Sequence, residues 1–251
     1  MSFDPSQYGS SGIAELYDRL YADEWDTDNA VDAIAELAAG GPVLELGIGT
    51  GRLALPLVGR GLEMHGIDGS PEMVEQLRTK PGGADLAVTI GDFSTTIVEP
   101  GHFSVVVLAA NTIFALPDQA AQVACFANAA RHLRRGGRFV IEAWIPDLAS
   151  FHDNRRVRPR VMSDGLMSIE SAVLHPADQR MRTTQAVFSE GGVSLFPANH
   201  RYAWPAELDL MAQLAGMQLE HRWTNWMREP FGDRSAHHVT VYSRLTGDGP
   251  G

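Results

Sequence analysis

The stretch LELGIGTGRL, residues 44–53, decides how this chain is read. An apolar run through Glu45 is followed by Gly47, Gly49 and Gly51 at alternate positions. Such a run predicts a strand turning into a helix, and the missing β-carbons let the backbone approach a bound ligand. A dinucleotide fingerprint wants its third glycine one position later, where Arg52 stands, because that glycine lets helix and strand pack closely around a pyrophosphate. The spacing is G-x-G-x-G behind an acid, which makes a nicotinamide enzyme the weaker reading.

Outward from this turn, apolar strands and helices alternate. Upstream, IAELYDRLYADEW has apolar or aromatic residues at 13, 16, 17, 20 and 21, the spacing of an amphipathic helix. TDNAVDAIAELAA predicts a second helix closed by a left-handed glycine at Gly40–Gly41. Downstream come helix GRLALPLVGRG, strand LEMHGID, helix SPEMVEQLRTK, strands DLAVTIGD and FSVVVLAAN, helix DQAAQVACFANAARHLRRGG and strand RFVIEAW. The continuous apolarity of VVVLAA fits a strand covered on both faces, so the pattern predicts a doubly wound parallel sheet.

The pattern changes after Pro146. Alternating stretches LMSIESAVLH, RMRTTQAVFSE and VSLFPANHRYAW, within residues 160–203 and separated by PADQ and GG, predict an antiparallel sheet inserted into the domain. Helix PAELDLMAQLAG and strands MQLEHRWTNWM and HHVTVYSR then resume the α/β pattern. The division expected is a helical lid over 1–40, a ligand-binding core over 41–150, and the inserted sheet over 151–204 as acceptor cap or oligomer contact. The rest of the core follows over 205–245, with a disordered tail over 246–251. An exposed antiparallel edge is normally covered, which predicts at least a dimer.

Composition narrows the function. A chain of 251 residues with 44% hydrophobic content can bury a large core, and its net charge of −11 argues against nucleic acid and suits a cationic small molecule. The start MSFDPSQYGS lacks the basic and apolar regions of a secretory signal, and no apolar run reaches the roughly 20 residues of a membrane helix. A cytoplasmic protein with no membrane partner is expected. The one cysteine, Cys125, has no cysteine partner for a disulfide or zinc cluster and reads as a buried helix residue.

Two acids complete the ligand site. Asp68 ends the second strand about 20 residues past the glycines, where a carboxylate accepts both hydroxyls of an adenosine ribose. Asp92 ends the third, placed to accept from an adenine amine while Phe93 covers the ring. Taken singly, each acid also reads as a helix cap or a solvated loop residue.

With these stretches in place, the sequence resembles the class I S-adenosylmethionine-dependent methyltransferases. The matching segments are VLELGIGTGRLALPL, GIDGSPEMV, GDF and VVVLAANTIFAL, and the resemblance spans about residues 10–245. It implies a Rossmann-like seven-stranded sheet whose last strand is antiparallel. It also implies S-adenosylmethionine as cofactor, with Glu45, Gly47, Gly49 and Gly51 against the amino-acid part. Asp68, with Gly69 and Met73 beside it, holds the ribose. Asp92 lies near the adenine amine, and Asn111 runs past the methionine. The segments YDRLY and EAWIPD, with the inserted sheet, look like small-molecule N-methyltransferases, among them glycine, amino-sugar and lincosamide-type enzymes.

Methyl transfer from a sulfonium needs only an acceptor lone pair held in line and water kept out. A neutral amine attacks unaided, whereas a hydroxyl needs a base. The expected reaction is therefore N-methylation of a small, basic metabolite, with O-methylation or non-catalytic cofactor binding as alternatives. Tyr17 and Tyr21 fall on one side of the first helix, where their rings can shield the sulfonium or simply pack the helix. Tyr8, Tyr17 and Phe114 are expected to position the acceptor, and Trp144 and Glu142 to bind it from one strand face. His200, His237 and His238 are possible bases that no spacing singles out. The run NRRVRPR reads either as an anion site or as a charged strand edge.

Overall fold

A computed structural model of the chain describes residues 18, 20, 21, 25–163 and 166–245, so Tyr8, Tyr17, the tail 246–251 and most of the first expected helix lie outside it. The second expected helix is α1 (Thr27–Ala38), capped by Asp26, whose side chain accepts from Asn29 N. Its left-handed C-cap begins on Ala39 (φ 49°), one residue before the expected glycine, and Gly40 follows at φ 78°. The core then runs through β1 (Val43–Leu46), α2 (Ala54–Gly59), β2 (Met64–Asp68), α3 (Pro71–Arg78), β3 (Ala87–Ile90), β4 (Phe103–Leu108), α4 (Gln119–His132) and β5 (Leu133–Trp144). Four strands follow, β6 (Arg155–Ser163), β7 (Leu166–His175), β8 (Arg180–Ser189) and β9 (Gly192–Arg201), and α5 (Pro205–Leu214), β10 (Met217–Trp223) and β11 (His237–Arg244) close the core.

The seven-stranded sheet has the order β3-β2-β1-β4-β5-β11-β10. The first five strands are parallel, and β11 runs antiparallel to both β5 and β10, as the resemblance implies. Strand order reverses between β1 and β4, and open α/β sheets bind ligands at the carboxyl ends flanking such a switch point. Both faces are covered. Phe126, Phe139 and Leu208 pack with α4 and α5 on one side, and Ile34, Leu57 and Val107 with α1 and α2 on the other.

Three boundaries differ from the sequence reading. Helix α4 stops at His132 because Leu133 turns extended (φ −67°, ψ 137°) to pair with Phe103, so LRRGG starts β5. Helix α2 begins only at Ala54, since Gly51 at φ 82° belongs to the preceding turn. Finally, the inserted sheet has four strands in the order β6-β7-β8-β9, and its edge strand β6 absorbs NRRVRPR. Pro159 is tolerated there because an edge strand has an unpaired side, and the register shift between Pro159 and Val161 makes Arg160 a bulge. Burial alternates along β7, with Leu166, Ser168, Ala172 and Leu174 on the covered face, as expected of an antiparallel sheet packed on one side.

Candidate active site

The turn after β1 is shaped by its glycines. Gly47, Gly49 and Gly51 have φ of 72°, 54° and 82°, the left-handed region that penalises any β-carbon. A β-carbon on Gly47 would meet Thr112 Cγ2 at 2.6 Å, whereas one on Gly49 would find only Met73 Cε at 3.8 Å. Gly49 therefore presents bare backbone to open space. Asp68 at the end of β2 braces this turn: Gly49 N donates to its Oδ2 at 2.6 Å and Ser70 N, just past Gly69, to its Oδ1 at 2.8 Å. Burial raises the Asp68 carboxyl above the ordinary carboxylate range, opposed by these backbone donors.

Glu45 stands beneath the same turn. It is 5% exposed, and one carboxylate oxygen has no hydrogen-bond partner among the described residues. Burial pushes its carboxyl up to about 8, against the attraction of Arg52. A buried acid with one unpartnered oxygen beside a bare glycine turn suits a cationic, adenosine-linked ligand such as S-adenosylmethionine, so the residues present fit that cofactor.

At the end of β4, Ala110 (φ 54°) and Asn111 (φ 62°) are both left-handed, a strained pair for residues with β-carbons. Glu142 of β5 holds them there. Its Oε2 accepts from Ala110 N at 2.9 Å, its backbone oxygen accepts from Asn111 N at 3.1 Å, and its Oε1 accepts from Trp226 Nε1 at 2.6 Å. Arg52, 5.3 Å over the Trp25 ring, lies 3.9 Å from Oε2. Glu142 thus braces the strained turn through Oε2 and its backbone oxygen while Oε1 holds Trp226, and the same residue lines the cavity at this edge. Asn111 Oδ1 in turn accepts from Trp144 N at 2.7 Å, which fixes the end of β5.

Between this edge and the inner face of the inserted sheet lies a cavity of about 550 Å³. Trp144 lines it. Phe114 does not: it is fully buried behind Trp144, the two rings 4.6 Å apart, and so supports the wall instead of touching an acceptor. Tyr21 also lines the cavity, its hydroxyl donating to Gln185 Oε1 of β8 at 3.1 Å, which puts it against the inserted sheet and not the glycine turn. The contact to the turn is made three residues earlier, by Asp18, which accepts from Thr50 Oγ1 at 2.7 Å and pairs with Lys80 at 2.5 Å.

Asp92 lies past the end of β3, where its Oδ1 accepts from Ser94 N and Oγ at 2.8 and 2.6 Å. The Phe93 ring is 2% exposed within the core under α4, so the expected ring cover over adenine is not formed by this side chain. Among the histidines, His200 lines the cavity and is pushed down to about 4 by burial. His238 is buried beside Thr240 and pushed down to about 3, while His237 is exposed at the cavity. Trp25, Arg52 and Trp226 were not singled out by sequence reasoning. Only Arg52 carried a signal, its place directly after the glycines.

Residues 43–137 match the family described as "Methyltransferase domain". The whole fold matches the CcbJ methyltransferase from Streptomyces caelestis with a TM-score of 0.87 and 36% identity, covering 98% of this chain and 100% of the other. The chain belongs to the class I S-adenosylmethionine-dependent methyltransferases. A curated relative, the cypemycin N-terminal methyltransferase of a Streptomyces species, is 28% identical over 96% of this chain and 99% of its own length. The methyltransferase shares its fold with CalS10 from Micromonospora echinaspora, an amino pentose methyltransferase solved with S-adenosylmethionine, at a TM-score of 0.69 and 21% identity over 93% and 97% of the two chains. Membership sets aside the nicotinamide reading. Among the described residues, no helix of the methyltransferase is long and apolar enough to cross a membrane.

Proposed function

We propose that this methyltransferase moves a methyl group from S-adenosylmethionine to an amine nitrogen of a small, basic metabolite in the cytoplasm. The observation that carries the proposal is the cavity of about 550 Å³ at the β4–β5 edge, within the range of about 300–1,000 Å³ that suits a small ligand. The relatives support the choice of nitrogen, one being named for methylating an N-terminus and another an amino pentose.

In this reading Gly47, Gly49, Gly51 and Glu45 receive the amino-acid part of the cofactor, with Asn111 beside its methionine. Asp68, with Gly69 and Met73 beside it, takes the ribose, and Asp92 lies near the adenine amine. When bound, the cofactor supplies a methyl group already activated on a positively charged sulfur. The chain's task is then to hold the acceptor nitrogen in line at about 3 Å and exclude water. Glu142 fixes Ala110 and Asn111, Trp144 forms one wall, and Tyr21 ties the N-terminal segment to the inserted sheet, which acts as the acceptor cap. On sequence grounds, Tyr8 and Tyr17 belong to the same proposal as acceptor-positioning hydroxyls. The new N–C bond forms as the S–C bond breaks, and the nitrogen proton leaves to solvent. His200, weakly basic in its buried setting, is poorly matched to deprotonating a hydroxyl, which favours nitrogen over oxygen.

The test is transfer of isotopic label from S-adenosylmethionine into fractionated small-molecule extract, with Gly49→Arg as the control. Label in a basic metabolite with the parent enzyme alone supports the proposal; label confined to hydroxyl compounds overturns it in favour of oxygen.

A further inference from the structure

Arg52 connects the glycine turn with the cavity. Its guanidinium stands 5.3 Å over the Trp25 ring and 3.9 Å from Glu142 Oε2, and both of those side chains line the cavity. On the turn side it attracts Glu45, whose carboxyl its charge pulls down against burial. A guanidinium carries several N–H donors in a fixed fork. Among the described residues the Arg52 side chain makes one hydrogen bond, from Nη1 to Thr27 Oγ1 at 3.2 Å. Glu142 takes up none of the remainder: its oxygens accept from Ala110 N and Trp226 Nε1, and 3.9 Å to Arg52 is a charge contact without a hydrogen bond.

The hydrogen-bonding capacity left over at this place is of two kinds. Trp25 Nε1 is buried and has no partner among the described residues, so Trp25 and Arg52 together are donors short of an acceptor. Glu45 is the reverse case, with one buried oxygen short of a donor. Buried polar groups in this condition cost stability until a partner arrives. The amino-acid part of S-adenosylmethionine brings both partners on one carbon, a carboxylate that only accepts and an ammonium that only donates. A guanidinium held over an aromatic ring keeps its fork for a planar partner, and a carboxylate fits that fork with two parallel hydrogen bonds.

Resting on the placement of the amino-acid part proposed above, we infer that Arg52, backed by Trp25, binds the cofactor's carboxylate beside the ammonium that Glu45 receives. Arg52 is then the residue that selects the complete cofactor. It separates S-adenosylmethionine and S-adenosylhomocysteine from adenosine thioethers that lack the carboxylate.

The test is calorimetric binding, with no acceptor present, of S-adenosylhomocysteine, its decarboxylated analogue, and methylthioadenosine, which lacks the whole amino-acid part. Arg52→Gln should weaken S-adenosylhomocysteine about tenfold and the decarboxylated analogue by less than about twofold, and the retained binding shows that the variant is folded. Arg52→Lys keeps the charge without the fork and should recover part of the loss. Trp25→Phe keeps a ring beneath Arg52 and removes Nε1, so it should weaken S-adenosylhomocysteine several-fold and again spare the analogue. Equal losses for the two ligands in Arg52→Gln, or no loss for either, overturn the inference. If Arg52→Gln does not fold, the same comparison is read from Trp25→Phe, where equal losses overturn it as well.

Glu45→Gln separates the inference from the placement on which it rests. If Glu45→Gln keeps the parent's preference for S-adenosylhomocysteine over methylthioadenosine while Arg52→Gln loses the carboxylate-bearing ligand alone, Arg52 stands and the placement of Glu45 falls. If Glu45→Gln narrows that preference while Arg52→Gln weakens neither ligand, the placement stands and Arg52 falls.

Discussion

Replacing Gly49 by alanine separates what the glycine turn does for the fold from what it does for the ligand. At φ 54° the added β-carbon meets only Met73 Cε, at 3.8 Å, so the protein is not overpacked. The cost to stability is the left-handed backbone strain alone, about 1–2 kcal/mol, which for a domain of this size lowers Tm by about 2–8 °C. Gly61 is the matched control, with φ 81° and nothing within 4 Å of its added β-carbon, but it lies in the surface turn after α2. Gly61→Ala should lose similar stability and keep wild-type affinity for S-adenosylmethionine. Gly49→Ala should lose at least about tenfold in affinity, because a methyl group then stands where the ligand meets bare backbone. Thermal unfolding without ligand and calorimetric titration with S-adenosylmethionine measure the two effects independently. Equal cofactor affinity in both variants would refute the reasoning and reduce the glycine to a turn former.

Glu45 gives the apo protein a characteristic pH response. Its folded value of about 8 lies above the ordinary 4.5, so the folded state holds more protons between those values and stability falls as pH rises across that window. Denaturation at pH 5 and pH 8 should show a smaller fall in Glu45→Gln, and parallel profiles would contradict the assignment. Trp226→Phe removes the donor to Glu142 Oε1 and leaves a buried carboxylate oxygen unsatisfied; urea unfolding should show a loss of about 1–3 kcal/mol, with weaker cofactor binding as Ala110 and Asn111 relax. Trp144→Ala should lower kcat/KM for the acceptor at least about tenfold while the Kd for S-adenosylmethionine stays within twofold; an equal loss in both would place Trp144 on the cofactor.

The alternation of apolar strands and helices made the sheet legible, because strands buried on both faces leave continuous apolar runs such as VVVLAA. The glycine turn and Asp68 were equally readable, since only glycine suits those φ values and Asp68 ends a strand beside them. What escaped depended on partners distant in sequence. The bracing role of Glu142 is one such case, since only the fold brings Trp226 and Ala110 to its two oxygens. Phe93 and Phe114 are aromatic and adjacent to strand ends, but no local pattern says whether a ring turns outward or into the core. The run NRRVRPR was readable as a charged strand edge, and most of it forms edge strand β6, which accommodates Pro159.

The measurement that tests the central claim most directly is carbon NMR of the reaction product made with S-adenosylmethionine carrying a ¹³C-labelled methyl group. With amine acceptors drawn from the extract that supports transfer, the labelled carbon should appear at an N-methyl shift, and Gly49→Arg should give no product. A labelled carbon at an O-methyl shift, or no product across the acceptors while the protein binds the cofactor, would contradict the account.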